Sequence, residues 1–298
     1  MISLSALAAL AQAHAGDVDR PVAPLVVGER VFDPDDGAVL MGCVNLSRDS
    51  TYRESIATST ASAIRKGRVL AAQGADLVDV GAESSTAKAA RVSPQQQLAS
   101  LVPVVEALAA DGVLVSAETY EPVVAKAALQ AGARVLNFTG SEHQDEIFAL
   151  AAEFGATLVL CYVRGRNVRE ITDVTLDEDP IPGLLEHFER RVAQARAAGV
   201  QHLVIDPGMG FYYGNLVDPR TRLAHQAKVI AHTFRLRRLG LPICHALPHA
   251  FDVFEDQFRT AEGFFAVLAH LGGTTLMRTH EVPQVKAVLA ALRTLDLG

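Results

Sequence analysis

Amide and ionisable side chains recur in this sequence at one kind of place, directly after a short apolar run. Asn45, with Ser47, Arg48 and Asp49, follows the first run. Glu83, Ser84, Ser85 and Thr86 follow the second, Glu118 and Thr119 the third, and Asn137 the fourth. Tyr162 and Arg164 follow the fifth, Asp206 the sixth, His245 and His249 the seventh, and Arg278, Thr279, His280 and Glu281 the eighth. Asn137 and Asp206 interrupt otherwise apolar stretches, and burying such groups costs free energy unless they meet partners or a ligand. The turn Asp206-Pro207-Gly208-Met209-Gly210 can bring backbone N–H groups close to a ligand, but it is no dinucleotide fingerprint, since the next glycine is Gly214. His245 and His249 are four apart, yet Pro248 between them keeps them off one helical face, which weighs against a metal pair. No Ser-His-Asp or Cys-His constellation and no phosphate-binding P-loop is present. Single members have plainer readings: Glu281 as a charge at a helix start with Thr279 as its cap, and Asp79 as a satisfied core carboxylate. The eightfold coincidence is the informative feature.

The elements that must position these groups alternate. Apolar strands are predicted at about 39–45, 77–82, 113–117, 134–137, 157–162, 202–206, 242–245 and 275–278. Helical stretches lie between them at 56–73, 94–110, 121–131, 144–153, 183–198, 219–238 and 257–271, and a last one follows at 282–296. Glycines stand at helix ends (Gly74, Gly112, Gly132, Gly155, Gly199, Gly240 and Gly272), where a left-handed residue is needed. Ser93-Pro94 and Glu121-Pro122 read as helix starts. Eight βα units with near-continuous apolar strands predict an α/β fold, a closed (β/α)₈ TIM barrel. Its chemistry then belongs at the C-terminal strand ends, where the polar residues fall. Residues 1–38 read as a cap of two parts. The first is an amphipathic helix over 2–15; the second is a hairpin, its two short strands joined by a turn at Asp33–Gly37, able to plug the barrel bottom. A single domain, 1–298, is the economical reading.

Bulk properties narrow the partners. The net charge is −7 and the basic residues form no long run, so nucleic acid is a poor candidate. An anionic substrate would need a local cluster of donors. The three cysteines, Cys43, Cys161 and Cys244, lie in apolar runs without a CxxC spacing, which predicts buried thiols in a reducing compartment. No apolar stretch has the length of a membrane span. Residues 2–15 lack the positive start of a signal peptide, so a cytoplasmic location is expected.

In this order the residues resemble dihydropteroate synthases, the pterin-binding barrels. The resemblance is carried by Met41-Gly42-Cys43-Val44-Asn45 and by Asp79-Val80-Gly81-Ala82-Glu83-Ser84. Ser116-Ala117-Glu118-Thr119, Asn137, Asp206-Pro207-Gly208-Met209-Gly210 and Arg278-Thr279-His280-Glu281 continue it. It runs from about residue 27 to the C-terminus, and its wording is nearest to the sulfonamide-resistance branch. The family condenses a pterin bearing CH₂–O–pyrophosphate with p-aminobenzoate. The resemblance implies Asn45 near a Mg²⁺–pyrophosphate and Asn137 and Asp206 on the pterin ring with Glu118 at its edge. It implies Ser85 and Thr86 near the second substrate, Arg48 and Asp49 in the first substrate loop, and Arg278 and His280 on the pyrophosphate. It implies a homodimer as well.

Four departures from the family pattern fall near the substrates. The Ser-Arg-Lys after the seventh strand becomes Leu247-Pro248-His249, leaving an imidazole with conditional charge where the family has an ammonium. The pterin-facing Asp becomes Glu118. The first loop loses both its glycines and keeps one aromatic, Tyr52. The Asp after the fourth-strand Asn becomes Phe138. Three readings follow. One is a synthase-type transferase acting on a pterin and p-aminobenzoate or a related amine. Another is a pterin-binding homologue without synthase activity. A third is another enzyme of the wider superfamily, such as a methyl transferase using a folate, for which nothing in the chain speaks.

Overall fold

Eight apolar runs pair side by side in the computed structural model, which describes residues 2–47, 49, 52–84, 89–163, 165–166, 176–209 and 218–295. They are β3 (Val39–Asn45), β4 (Leu77–Gly81), β5 (Val115–Glu118), β6 (Val135–Phe138), β7 (Thr157–Cys161), β8 (His202–Asp206), β9 (Cys244–Ala246) and β10 (Leu276–Thr279), preceded by a small hairpin of β1 (Leu25–Val27) and β2 (Arg30–Phe32). The sheet order β8-β7-β6-β5-β4-β3-β10-β9 is parallel at every ladder, and a single bridge, Ile205 to Ile243, brings β8 back to β9. The result is a nearly closed (β/α)₈ barrel. Strands buried on both faces explain why they read as continuous apolar runs rather than alternating ones.

The helices cover the outside: α3 (Thr60–Gln73), α4 (Pro94–Ala110), α5 (Pro122–Gln130), α6 (Gln144–Glu153), α7 (Ile181–Ala197), α8 (Pro219–Ala231), α10 (Ala261–Leu271) and α11 (Val282–Thr294). Ser59 and Ser93 start α3 and α4 with reciprocal capping boxes. Two predicted helices are shorter than expected. The stretch 219–238 is α-helical only to Ala231 and tightens into a 3₁₀ segment, Thr233–Leu239. The stretch 257–271 becomes helical at Ala261, after a short α9 (Phe251–Phe254) and a 3₁₀ segment, Glu255–Thr260. The left-handed residue that ends α10 is Gly273, with φ 76°, and not Gly272, which stays right-handed.

The hairpin also differs from expectation. Its turn is Gly28-Glu29, between the paired Val27 and Arg30, while Asp33–Gly37 is the 3₁₀ corner that leads into β3. Gly28, with φ 59°, supplies the left-handed position a two-residue hairpin turn needs. The hairpin does plug the barrel bottom. Leu25 and Val27 join Val39, Met41, Leu77, Val135, Val159, Val204, Cys244 and Leu276 in one buried cluster inside the strands, and the Thr157 hydroxyl donates to the Val26 carbonyl. The first helix, α1 (Leu4–Ala13), buries no residue fully; Leu7 and Leu10 roof a shallow cavity of about 200 Å³ against Phe234 and Leu268. The adjoining α2 (Ala15–Val18) is pinned by Asp17, which accepts from Arg238 Nε and Nη2 at 2.8 and 2.7 Å.

Candidate active site

Strand register sets the inner surface of the bowl. Cys43 lies beside Asp79 and Asp79 beside Ser116; one layer higher, Asn45, Gly81, Glu118 and Asn137 follow one another across neighbouring strands. On the far side Cys161 is level with Asp206. Arg278 of β10 reaches across this floor. Its Nε donates to Asp79 at 2.8 Å and its Nη2 to Glu118 at 2.7 Å. Asp79 is fully buried and also accepts from the Ser116 hydroxyl at 2.6 Å and from Asn137 Nδ2 at 3.2 Å. Asn137 Oδ1 in turn accepts from the Cys161 thiol at 3.3 Å. Asp206 accepts from the Gly208 N–H at 2.7 Å, so the turn after β8 folds back on its own carboxylate.

Two carboxylates, Asp79 and Glu118, thus share one guanidinium, whose charge also acts on Asp206. Burial pushes the Glu118 carboxyl up to about 7, with Arg278 pulling the other way and Asp79 and Asp206 adding to the rise. Burial likewise pushes Asp206 up to about 6, against the hydrogen bond from Gly208. Burial works against the charge of Arg278, yet the negative groups around it, Glu118 and Asp79 among them, hold it protonated. The extra methylene of Glu118 has room because Gly81 lies beside it; a Cβ there would meet Glu118 Oε2 at 3.0 Å.

The rim carries a second group. His280 Nδ1 lies 2.9 Å and His249 Nδ1 3.3 Å from Oε1 of Glu262, a fully buried residue of α10. Glu262 Oε2 accepts from the His280 and Glu281 backbone N–H groups at 2.8 and 3.2 Å, and from the Thr279 hydroxyl. Burial disfavours its charge, but His280 and His249 beside it hold the Glu262 carboxyl well below the usual range. The Tyr52 ring stacks on His280 at 4.5 Å and its hydroxyl donates to Glu281. Asn45 Nδ2 donates to Ser55, whose own hydroxyl donates to the Tyr52 carbonyl at 2.6 Å. Asn45, Ser55, Tyr52 and His280 therefore form one continuous stretch of rim, while Asn137, Asp79, Arg278 and Glu118 form the floor.

A family model described as pterin binding enzyme matches residues 41–280. A dihydropteroate synthase type-2 of Escherichia coli is 32% identical over 279 residues, covering 86% of this chain and 96% of that protein. The chain belongs to the dihydropteroate synthase family. Solved structures agree. A Xanthomonas albilineans dihydropteroate synthase with 4-aminobenzoic acid superposes with a TM-score of 0.78 at 26% identity, over 93% of this chain and 99% of the other. A Yersinia pestis dihydropteroate synthase in a sulfonamide drug complex gives 0.80 at 26% identity, over 91% and 100%.

Within this family member, the candidates Asn45, Glu118, Asn137, Asp206, Arg278, His249 and His280 meet at the C-terminal ends of the strands. Arg278 is engaged by two carboxylates, an arrangement its place in the closing motif did not announce. Asp49 is turned to the second loop, where its Oδ2 accepts from the Ala90 N–H at 3.0 Å. Arg48, Ser85 and Thr86 lie outside the described residues. His245 does not join His249; it is fully buried and sits 2.7 Å from the Thr233 hydroxyl. Thr279 accepts from the Glu281 N–H at 3.0 Å, as its reading as a cap expects, while the Glu281 carboxylate is taken by Tyr52 and Arg259. Phe138 points away from the bowl, packed edge-on against Phe148 with Arg191 over its ring.

Sequence reasoning passed over Glu262. Its position reads as a first-turn charge of α10, yet it shares a helical face with Phe265, Ala266 and Ala269, all buried. An acid at i, i+3, i+4 and i+7 spacing with apolar residues is the signal that could have exposed it.

Proposed function

We infer that this chain is a synthase-type transferase, joining a pterin-CH₂-pyrophosphate to p-aminobenzoate or a related amine in folate-type biosynthesis. The observation that carries the reading is the convergence of Asp79, Glu118, Asn137 and Asp206 around Arg278 on the barrel's inner face. A pterin's amide and amino edge presents N–H donors in a row. A dry floor with more carboxylates than cations accepts them through charge-assisted bonds. The amine nitrogen bonds to the pterin CH₂ carbon, the C–O bond breaks, the pyrophosphate leaves with the electron pair, and the amine loses a proton. His280 and His249 on the rim are assigned to the side from which negative charge departs, with Arg278 reaching from the floor. One well-placed donor of that kind is worth on the order of 3 kcal/mol in the barrier.

Mg²⁺ belongs to the same reading. Asn45 fits it by donor chemistry: its Nδ2 donates to Ser55, and its amide oxygen is the hard ligand such a cation takes, with phosphate oxygens and water completing the shell. The ion would supply charge neutralisation at the pyrophosphate. Ser85, Thr86, Arg48 and Asp49 are assigned to the substrate loops. A cytoplasmic homodimer completes the reading. Three free, buried cysteines suit a reducing compartment, no helix among the described residues is long and apolar enough to cross a membrane, and light scattering on a sizing column reads the dimer.

The test supplies pterin pyrophosphate, p-aminobenzoate and Mg²⁺ and follows pyrophosphate release and the joined product. Turnover no faster than buffer would reject the reading. The alternative, a homologue that binds pterin without synthesis, is not favoured; calorimetric pterin binding with no product would be its signature.

A further inference from the structure

The imidazoles of His249 and His280 and the carboxylate of Glu262 come from three separate elements: the loop after β9, the end of β10, and α10. Their ligating atoms all lie within 4.8 Å of one another. Both Nδ1 atoms face the same oxygen, Glu262 Oε1, at 2.9 and 3.3 Å. The His249 contact lacks hydrogen-bond geometry, so His249 Nδ1 is buried without a hydrogen-bond partner. Nitrogen and oxygen ligands about 2.0–2.2 Å from a tetrahedral zinc stand about 3.3 Å apart from each other. Two edges of such a tetrahedron are therefore close to formed, and a modest turn of the half-buried His249 ring would close the third.

We propose that His249, Glu262 and His280 form a binding site for a divalent transition metal of the zinc type, with its fourth position open to water or an oxyanion at the mouth of the bowl. Glu262 and His280 are already oriented. Glu262 Oε2 is fixed by the His280 and Glu281 N–H groups and the Thr279 hydroxyl, which leaves Oε1 toward the imidazoles. Tyr52 backs both rings, at centroid distances of 4.5 Å from His280 and 4.9 Å from His249. Such outer supports are what set ligand orientation in protein metal sites. Two imidazoles and one carboxylate are a borderline-soft set that favours zinc or cobalt over magnesium, so this site is separate from the oxygen-only chemistry of Asn45.

The site is tested on the full-length chain, stripped with a chelator and assayed without substrate, so its failure leaves the transferase reading untouched. Calorimetric titration is expected to show one Zn²⁺ bound per chain, and Co²⁺ to give the intense visible bands of four-coordinate cobalt. His249→Ala should weaken Zn²⁺ at least tenfold while the metal-free melting temperature holds, and the rise in melting temperature on adding Zn²⁺ should vanish. Glu262→Gln, close in shape but neutral, should weaken Zn²⁺ similarly. The proposal is overturned by the absence of stoichiometric binding, by faint six-coordinate cobalt bands, or by affinity that survives both substitutions. Loss of binding in Asn45→Ala with none in His249→Ala would also overturn it.

Discussion

Arg278 answers to more negative charge than it carries, and that imbalance is where single residues decide behaviour. Glu118 and Asp206 are pushed up to about 7 and about 6, burial being the leading cause for both. A pterin edge of N–H donors prefers their ionised forms. Pterin affinity is therefore expected to rise from pH 5 to pH 8, with net proton release on binding near pH 6. Calorimetry in buffers of differing ionisation enthalpy reads both, and pH-independent affinity would contradict the assignment. Stability of the unliganded chain should move the opposite way. Both groups hold their protons in the fold to a higher pH than in the unfolded chain, where they ionise near their ordinary values of 3.8 and 4.5. Their contribution is present below those values and is lost as pH rises through about 6 and 7. Gly81 tests the same floor sterically. Gly81→Ala brings a Cβ to 3.0 Å from Glu118 Oε2, so Glu118 must retreat from Arg278. The expectation is roughly tenfold weaker pterin binding, on the scale of about 1.4 kcal/mol per decade, with an unchanged far-ultraviolet spectrum; unaltered affinity would show that Glu118 does not face the ligand.

At the scale of elements, the order of strands and helices was legible because each strand is buried on both faces and several helices carry their own start or stop signal. Ser93-Pro94 and Glu121-Pro122 announce α4 and α5, and the apolar runs locate every barrel strand to within a few residues. Where the reading slipped, tertiary contacts had decided. Asp33–Gly37 is rich in turn residues and reads as the hairpin turn, whereas Gly28-Glu29 turns the chain so that Leu25 and Val27 enter the barrel bottom. The helix 219–238 lost its last turns to a 3₁₀ segment in which Thr233 ties back to Val229 and out to His245. The strand-tip positions of Asn137, Asp206 and Arg278 were readable; the bonding of Arg278 to Asp79 and of Glu262 to two histidines was not, since those partners lie 199 and 18 or fewer positions apart. The plug carries its own prediction. Leu25 is 1% exposed inside the strand cluster, so Leu25→Ala should destabilise the chain by about 2–5 kcal/mol. Denaturant melts measure this, and a loss under about 1 kcal/mol would mean that the hairpin rests on the barrel without filling it.

The whole barrel is closed unevenly. Seven neighbouring pairs share ladders of several residues, but β8 and β9 meet through one bridge, Ile205 to Ile243, with Ile205 N–H donating to the Pro242 carbonyl at 3.1 Å. The seam also runs beside the floor, because Asp206 follows Ile205 and Cys244 follows Ile243. Local opening takes its free energy from the contacts that must be broken, so the thinnest pairing opens first. Hydrogen exchange resolved to single amides is expected to show Ile205 exchanging at least tenfold faster than Val78, whose N–H donates to Leu114 from the opposite side of the barrel. A pterin held by Asp206 of β8 and, across the floor, by Arg278 of β10 would tie the two sides of the seam, so adding it should slow Ile205 while leaving Val78 unchanged. Equal exchange at the two amides without ligand would show that packing of α7 and the 3₁₀ segment Thr233–Leu239 outside the seam, not strand pairing, holds the barrel shut.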